Sequence, residues 1–398
     1  MNLMFPHRCA LQLFLSLLFA VHLQLLNPLL QATAARPLRS TILDNYIPPP
    51  LHRYTAGVWG HFKSLLGARL GDSRPSLAPL KRYFAQFGYL NLSSSSNVTA
   101  LFDSPTLSAL HLYQQSFSLP VSDMLDMPTL LKIMTPRCGR EDIADGVPLM
   151  LQQGPSSPHF NPTVLGHYSF FPSTPSWPST RRNLTYAFNS MNETQRLSRD
   201  QRRQVFANAF SEWAAVIPMN FTEIDDYETA DIKIEFVSFD HGDEQPFDGV
   251  LGILAHAFSP TDGRFHLDDS EFWFLASDGD DNNVAPQEVD LQSVVTHEIG
   301  HLIGLAHSSM ENAIMYPSLG LRQVKLQLQP DDIQGAQALY GANPNFNFSS
   351  PLPGIPPTTS QKGHSVAEDS NVACTCFPHA LLVPTFGFLH LLIYWGVW

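Results

Sequence analysis

Apolar residues recur at helical spacing early in the chain: Phe84, Phe87 and Leu90, then Leu107, Leu110 and Tyr113. Gly88 and the serine run at 93–96 interrupt them, which predicts a small helical region with an aromatic core. From Glu141 to about Val164, "EDIADGVPLMLQQGPSSPHFNPTV" is rich in Pro, Gly and Ser, contains no Lys or Arg, and reads as a linker. A second region runs from "LGHYSFFPSTPSWP" to "ALYGANP". In it "SRDQRRQVFANAFSEWAAVIP" predicts an amphipathic helix, N-capped by Ser198, with Phe206, Phe210 and Trp213 on its apolar face. "ADIKIEFVSF" alternates Ile232, Ile234 and Phe236 against Lys233 and Glu235 and predicts a strand. "QEVDLQSVVTHEIGHLIGLAH" predicts a long helix that stops at Gly304, and "QPDDIQGAQALYG" a last helix with Asp331 and Asp332 at its positive end. Strands followed by interleaved helices over about 175 residues describe an α+β domain.

The two ends carry a different pattern. "MNLMFPHRCALQLFLSLLFAVHLQLLNPLLQATAA" has a weakly basic start, a leucine-rich run and a small-residue finish, the layout of a secretory signal peptide over 1–34. The sequons at Asn91, Asn97, Asn183, Asn192, Asn220 and Asn347 agree with secretion and are glycosylation candidates. After Gly341 a Pro/Ser-rich stalk occupies 343–370, and no charged residue follows Asp369. A polar spacer and a short apolar tail without a basic flank predict a GPI-attachment signal over 371–398, with Ser365, Ser370 or Asn371 as the attachment residue. A simple hydrophobic anchor is the alternative. The product would sit on the outer face of the cell membrane through its lipid anchor, facing the extracellular space.

Composition sharpens this picture in two ways. A formal charge of −13 over 398 residues, with no basic stripe, excludes nucleic acid as a partner. Of the four cysteines, Cys9 leaves with the signal peptide, and Cys374 and Cys376 lie in or beside the tail. Cys138, in "TPRCGRED", is then alone, and an unpaired thiol in an oxidising compartment calls for a reason.

The helix "HEIGHLIGLAH" supplies one. His297 and His301 are four apart and share a helix face. Gly304 lets the chain turn back, so His307 can give a third nitrogen. Three histidines leave a fourth tetrahedral position open, as catalytic zinc sites do. Glu298 stands beside that position as candidate general base. Upstream, His241, Asp243, His256 and His266 form a closed set suited to a structural zinc. Asp248, Asp268, Asp269 and Glu271 are hard oxygen donors suited to calcium. Several of the chain's acids would thus neutralise bound cations.

With Met315 in "AIMYP", the helix motif resembles the extended metzincin signature, and with "PRCG" and the upstream histidines it resembles the matrixins, the matrix-metalloproteinase family. The likeness covers roughly 80–342 and is nearest to the compact plant type without a hemopexin domain. It implies a metzincin-like catalytic domain over 164–342, with a twisted, mostly parallel sheet and long helices. A propeptide with a small helical domain over 35–163 would precede it. It implies two zinc ions, one catalytic and one structural, and at least one calcium, with carbonyls of Gly249, Leu251 and Ile253 joining the carboxylates. Arg264 stands where many relatives carry an acidic ligand of a further calcium, while Asp231 matches that site's other carboxylate, so the resemblance leaves the number of calcium ions open. Met315 would form the turn beneath the zinc, and Tyr316 and Pro317 would wall the S1′ pocket. Cys138 would fill the fourth zinc position in a latent form, supported by an Arg137–Asp142 pair, making the propeptide its own inhibitor. Arg140 and Glu141 depart from the small or proline residues common there.

The resemblance therefore implies a zinc metalloendopeptidase, made as a zymogen, that cleaves extended segments of extracellular proteins laid along the edge strand around Gly252–Ala255. Activation would follow cleavage near "PLMLQQG" or "PTVLGHY", because the basic-free linker offers a furin-type convertase nothing to read. The competing reading is a catalytically silent, calcium-binding surface protein of the same fold, which would show damaged ligands or lack the base.

Overall fold

A computed structural model describes residues 56–92, 98–151, 166–276 and 287–346. The signal peptide, Asn97, Asn347, the stalk from residue 347 onward, Ser365, Ser370, Asn371 and the apolar tail lie outside the described residues. Among the described residues no helix is long and apolar enough to cross a membrane.

The first part is helical. A 3-10 turn at Val58–Leu65 precedes α1 (Leu77–Gln86), α2 (Ser104–Ser116) and α3 (Met127–Ile133). Asp103 and Asp126 cap α2 and α3 by accepting from Thr106 N and Thr129 N. Phe84, Phe87, Leu110 and Tyr113 are buried as the spacing predicts, and Leu107 packs at the margin. This core also takes in Phe247, Ile253 and Tyr316 from the second part, whose own core is a separate cluster.

The stretch after Glu141 is not the linker that its composition suggests. Ile143–Ala144 (β1) and Val147–Pro148 (β2) form an antiparallel hairpin, and Leu149 and Met150 are buried. Its turn is Asp145–Gly146, both at positive φ (51° and 75°). Asp-Gly is a strong hairpin signal, here masked by the surrounding Pro and Gly.

The second part is built on a five-stranded sheet ordered β4-β3-β5-β7-β6, from β3 (Asn183–Phe188), β4 (Asn220–Glu223), β5 (Ile232–Val237), β6 (Ala255–Ala257) and β7 (Arg264–Asp268). All pairings are parallel except β6 with β7, so an antiparallel strand forms one edge. The Ile232, Ile234 and Phe236 side of β5 is buried as expected. Helix α4 (Arg199–Val216) begins with a reciprocal Ser198–Gln201 capping box and buries Phe206, Phe210 and Trp213 against the sheet's core. The Trp213 indole donates to Thr296 O at 2.9 Å and fixes α4 to the next helix.

That helix, α5 (Leu291–Leu302), is shorter than the sequence pattern predicts. Val289–Asp290 (β9) instead pair in parallel with Trp273–Phe274 (β8), and Asp290 caps α5 by accepting from Ser293 N at 2.9 Å. Its C-terminal turn comes where expected: Gly304 has φ +103°, and a Cβ there would stand 2.2 Å from Pro175 O. Only glycine meets both demands. Helix α6 (Pro330–Tyr340) follows.

Of the described sequon residues, Asn91, Asn183 and Asn220 are exposed and Asn192 is half-buried. Asn183 and Asn220 are register partners on β3 and β4, and the Asn220 amide donates to Asn183 Oδ1 at 2.9 Å.

Candidate active site and metal centres

Every residue of α5 is buried, so its histidines and glutamate are held by packing on all sides. The turn at Gly304 brings His307 back beneath His297 and His301, with ring centroids 4.8, 4.9 and 5.4 Å apart. Each imidazole has an acceptor at Nδ1: Ile314 O for His297 (2.7 Å), Leu305 O for His301 (2.8 Å) and Asp142 Oδ1 for His307 (2.8 Å). Nδ1 therefore carries the proton, and each Nε2 presents a lone pair to one point. His297 Nε2 and His307 Nε2 are buried with no hydrogen-bond partner, and His301 Nε2 lies 3.3 Å from Cys138 Sγ. Buried orphan acceptors that converge with a thiol fit a soft tetrahedral cation such as zinc. Burial, and then mutual repulsion, holds His297 and His301 well below the usual histidine range, which keeps them as neutral ligands.

Cys138 reaches this point because its segment lies in the cleft as an added strand. Arg137 N donates to Gly252 O (3.0 Å), Leu254 N to Arg137 O (2.9 Å) and Gly139 N to Ala255 O (2.8 Å). On its other side Cys138 N donates to Pro317 O (2.9 Å) and Leu319 N to Pro136 O (3.0 Å). The segment thus pairs along the edge that leads into β6. A Cβ on Gly139 would stand 2.8 Å from Ile253 Cγ2 and 3.3 Å from His256 Cβ, which accounts for glycine after the cysteine. Arg137 and Asp142 form the expected pair, two parallel bonds of 2.8 and 2.7 Å with both side chains fully buried. The Arg137 guanidinium also lies 3.7 Å from the Phe87 ring centre.

A second cluster forms at the β6–β7 edge, where His256 and His266 are cross-strand register partners. Asp243 Oδ2 lies 2.7 Å from His256 Nε2, 2.8 Å from His266 Nδ1 and 2.9 Å from His241 Nε2. His241 Nδ1 is fixed by Phe239 O at 2.8 Å. Three imidazoles crowded on one carboxylate oxygen, all mostly buried, fit a closed four-ligand metal site. Burial, and then crowding by its neighbours, pushes His256 down to about 4, so its ligating nitrogen is free at neutral pH. Among the described residues these two clusters are the groups whose ligand atoms gather within 4.8 Å.

The oxygen-donor set is looser. Asp248 and Glu271 brace the loop between them, accepting from Ile253 N (2.8 Å) and Leu251 N (2.7 Å). Asp268 Oδ2, Asp269 Oδ1 and Glu271 Oε2 are buried without hydrogen-bond partners. Burial and the nearby Asp268 carboxylate push Asp248 up to about 6 and Glu271 well above its ordinary value. Crowded carboxylates with spare oxygens fit a hard cation. At Asp231 an internal cation stands instead: Arg181 forms an ion pair with it, and Thr185 donates to its other oxygen at 2.9 and 3.1 Å. Arg264 turns away to pair with Asp262 at 2.8 Å.

Comparison with known proteins agrees with these features. The matrixin peptidase family matches residues 176–341. Metalloendoproteinase 2-MMP of Arabidopsis thaliana is 42% identical over 322 residues, covering 79% of this chain and 82% of that protein. Metalloendoproteinase 5-MMP of the same plant is 44% identical over 326 residues, 81% of this chain and 86% of that one. Matrix metalloproteinase-20 of Homo sapiens is 34% identical over 247 residues, 61% of this chain and 44% of that one. The chain is a matrixin. It is accordingly a metalloendopeptidase with the mixed, mostly parallel α+β fold described above.

In this matrixin Glu298 points into the same cleft, fully buried, and neither carboxylate oxygen has a hydrogen-bond partner. Burial pushes its carboxyl up to about 8. Burial, and then the Glu298 charge, also raises the Cys138 thiol, a tendency that a bound cation would reverse. Beside them a pocket is lined by Leu254, Val294, Tyr316, Pro317, Leu319 and Lys325. Tyr316 and Pro317 both line this pocket, together with His297 and Glu298. Lys325 was missed, and it is anchored by donating to Glu311 O and Ala313 O at 2.5 and 3.2 Å.

Met315 packs directly under α5, and a Cβ on Gly300 would stand 2.1 Å from its sulfur. The glycine inside "HEIGH" is therefore a packing requirement as well as a spacer. Asp332 holds the turn by accepting from Ile314 N (2.9 Å), Met315 N (3.0 Å) and Gln329 N (2.7 Å). Asp331 accepts from His167 N, Tyr168 N and the Ser308 hydroxyl. Both acids were expected only to complement a helix dipole. Their partners lie far away in sequence, so no local signal could have shown the larger role.

Proposed function

We propose that this matrixin is a secreted, cell-surface endopeptidase, made as a latent zymogen, that uses zinc held by His297, His301 and His307 to hydrolyse extracellular proteins. The observation that carries the reading is the convergence of three Nε2 lone pairs and Cys138 Sγ at one buried point beside Glu298. When bound, zinc supplies a Lewis acid that eases deprotonation of water and polarises the scissile carbonyl. Glu298 takes the proton from that water on a carboxylate oxygen and returns it to the leaving amine. The substrate backbone pairs with Gly252 O, Leu254 N and Ala255 O, the groups that hold the pro-segment in the latent form. Its P1′ side chain enters the pocket between Val294, Tyr316 and Pro317.

Latency follows from Cys138, which stands where water must enter, with the Arg137–Asp142 pair bracing its loop. Release requires a cut beyond Asp142. Leu149 and Met150 are buried whereas Asp145, Gly146 and Val147 are exposed, and the stretches near "PLMLQQG" and "PTVLGHY", which fall partly outside the described residues, remain the sites proposed for that cut. The second cluster holds a structural zinc, and the Asp248–Asp268–Glu271 loop holds calcium. The signal peptide, the sequons and the apolar tail support secretion and a GPI anchor, with Ser365, Ser370 or Asn371 as attachment residue.

The deciding experiment is Glu298→Gln in the activated enzyme. Loss of a positioned general base should lower kcat/KM about 10²–10⁴-fold with zinc content unchanged. A folded, zinc-loaded variant that cleaves peptides at close to the parent rate rules the mechanism out.

A further inference from the structure

The three histidines of the cluster are not supported alike. His297 and His301 donate from Nδ1 to backbone carbonyls of their own domain, Ile314 O and Leu305 O. His307 donates to a side-chain carboxylate that belongs to the pro-segment, Asp142. Both groups are fully buried at 2.8 Å, so no water competes for the bond. Asp142 is itself fixed from three directions. Arg137 donates to both of its oxygens, Tyr89 OH donates to Oδ2 at 2.8 Å, and its backbone N donates to Phe87 O at 3.1 Å. Tyr89 is buried in the aromatic core of the helical part, in T-shaped contact with Phe84 and Tyr113.

We propose that Asp142 is a positioning residue for His307, so that the pro-segment strengthens zinc binding as well as blocking the cleft. This inference rests on the zinc reading above. A carboxylate on the far nitrogen fixes the tautomer with Nε2 free, holds the ring plane and raises the basicity of the ligating nitrogen. When the pro-segment leaves, His307 alone of the three loses its buried acceptor. The latent chain therefore holds its zinc more tightly than the activated enzyme, beyond the contribution of the Cys138 sulfur. By reciprocity the metal strengthens pro-segment docking by the same factor. Tyr89 carries this coupling into the helical core, since it aims the carboxylate that aims the imidazole.

The test uses the full chain carrying Cys138→Ser and Glu298→Gln, which removes the sulfur ligand and self-cleavage together. Zinc occupancy of the histidine cluster is followed through the imidazole 15N signals during competition with a chelator. Adding Asp142→Asn should weaken zinc about 10–100-fold, the usual cost of losing such a partner. Adding Tyr89→Phe, which keeps the carboxylate, should weaken it far less. Unchanged affinity in the Asp142→Asn chain overturns the proposal, whereas absence of zinc from the cluster in the parent overturns the functional reading itself. A second measurement leaves Asp142 intact. In the zinc-loaded parent the His307 Nδ1 proton should be downfield and protected from exchange, and proteolytic removal of the pro-segment should abolish that protection. A freely exchanging Nδ1 proton in the uncleaved chain also overturns it.

Discussion

The two histidine clusters use the same residue chemistry and are built in opposite ways. His241, Asp243, His256 and His266 come from one continuous stretch, and two of them face each other across the β6–β7 ladder. The other two, His241 and Asp243, stand on the loop that follows β5. The other cluster draws three ligands from a buried helix and its return turn, and the fourth from Cys138, some 160 residues earlier on a separate segment. That segment is held by five backbone hydrogen bonds of the kind a peptide can replace. In the proposed reading, the continuous set would be a structural site and the set closed by a replaceable strand a regulated one.

The comparison breaks most plainly if one ligand is removed from each site. His256→Ala should destabilise the fold by several kcal/mol, because a structural metal contributes folding energy directly and Asp243 would be left under-partnered. His301→Ala should abolish peptide cleavage with a much smaller fall in the unfolding midpoint. Thermal unfolding and activity of both variants check this, and equal destabilisation would erase the distinction. A subtler probe is Gly139→Ala, which sets a methyl against Ile253 and His256. Overpacking of about 1–3 kcal/mol should loosen the strand and raise the activity of the uncleaved chain roughly tenfold or more, with the mature enzyme unaffected.

The smallest expected effect lies outside both clusters and serves as their control. Glu212 on α4 is buried, neither of its oxygens has a hydrogen-bond partner, and burial pushes its carboxyl up to about 8. The folded state therefore binds this proton more tightly than the unfolded state does. The stability it contributes is fully present below the ordinary carboxylate range and is lost as pH rises towards 8. Glu212→Gln should flatten that loss, so its unfolding midpoint should exceed the parent's at pH 8 and match it near pH 5. Metal content and latency should not change.

What the sequence disclosed follows the range of each interaction. Alternation in β5, the Ser198 cap and the i, i+4 histidines are local patterns, and the structure keeps them. The family signature placed Cys138 opposite the helix because that pairing is stereotyped. The Asp145–Gly146 hairpin was also local and legible, but the proline-rich surroundings concealed it. The roles of Asp332 under Met315, of Gly300 against its sulfur and of Arg181 at Asp231 depend on contacts between distant segments. Tyr89 and the second partner of Asp142 belong to the same class. Composition and spacing carry no record of such contacts.

The most direct test of the account is peptide cleavage by the full, uncleaved chain carrying Cys138→Ser. The substitution replaces the thiolate with a poor zinc ligand, so the strand loses its metal anchor and is held by backbone bonds that a peptide can displace. The account predicts activity before any removal of the pro-segment, with zinc still bound to the three histidines. A chain that stays fully latent until it is cut would contradict it, and would show that the pro-segment inhibits by filling the cleft alone.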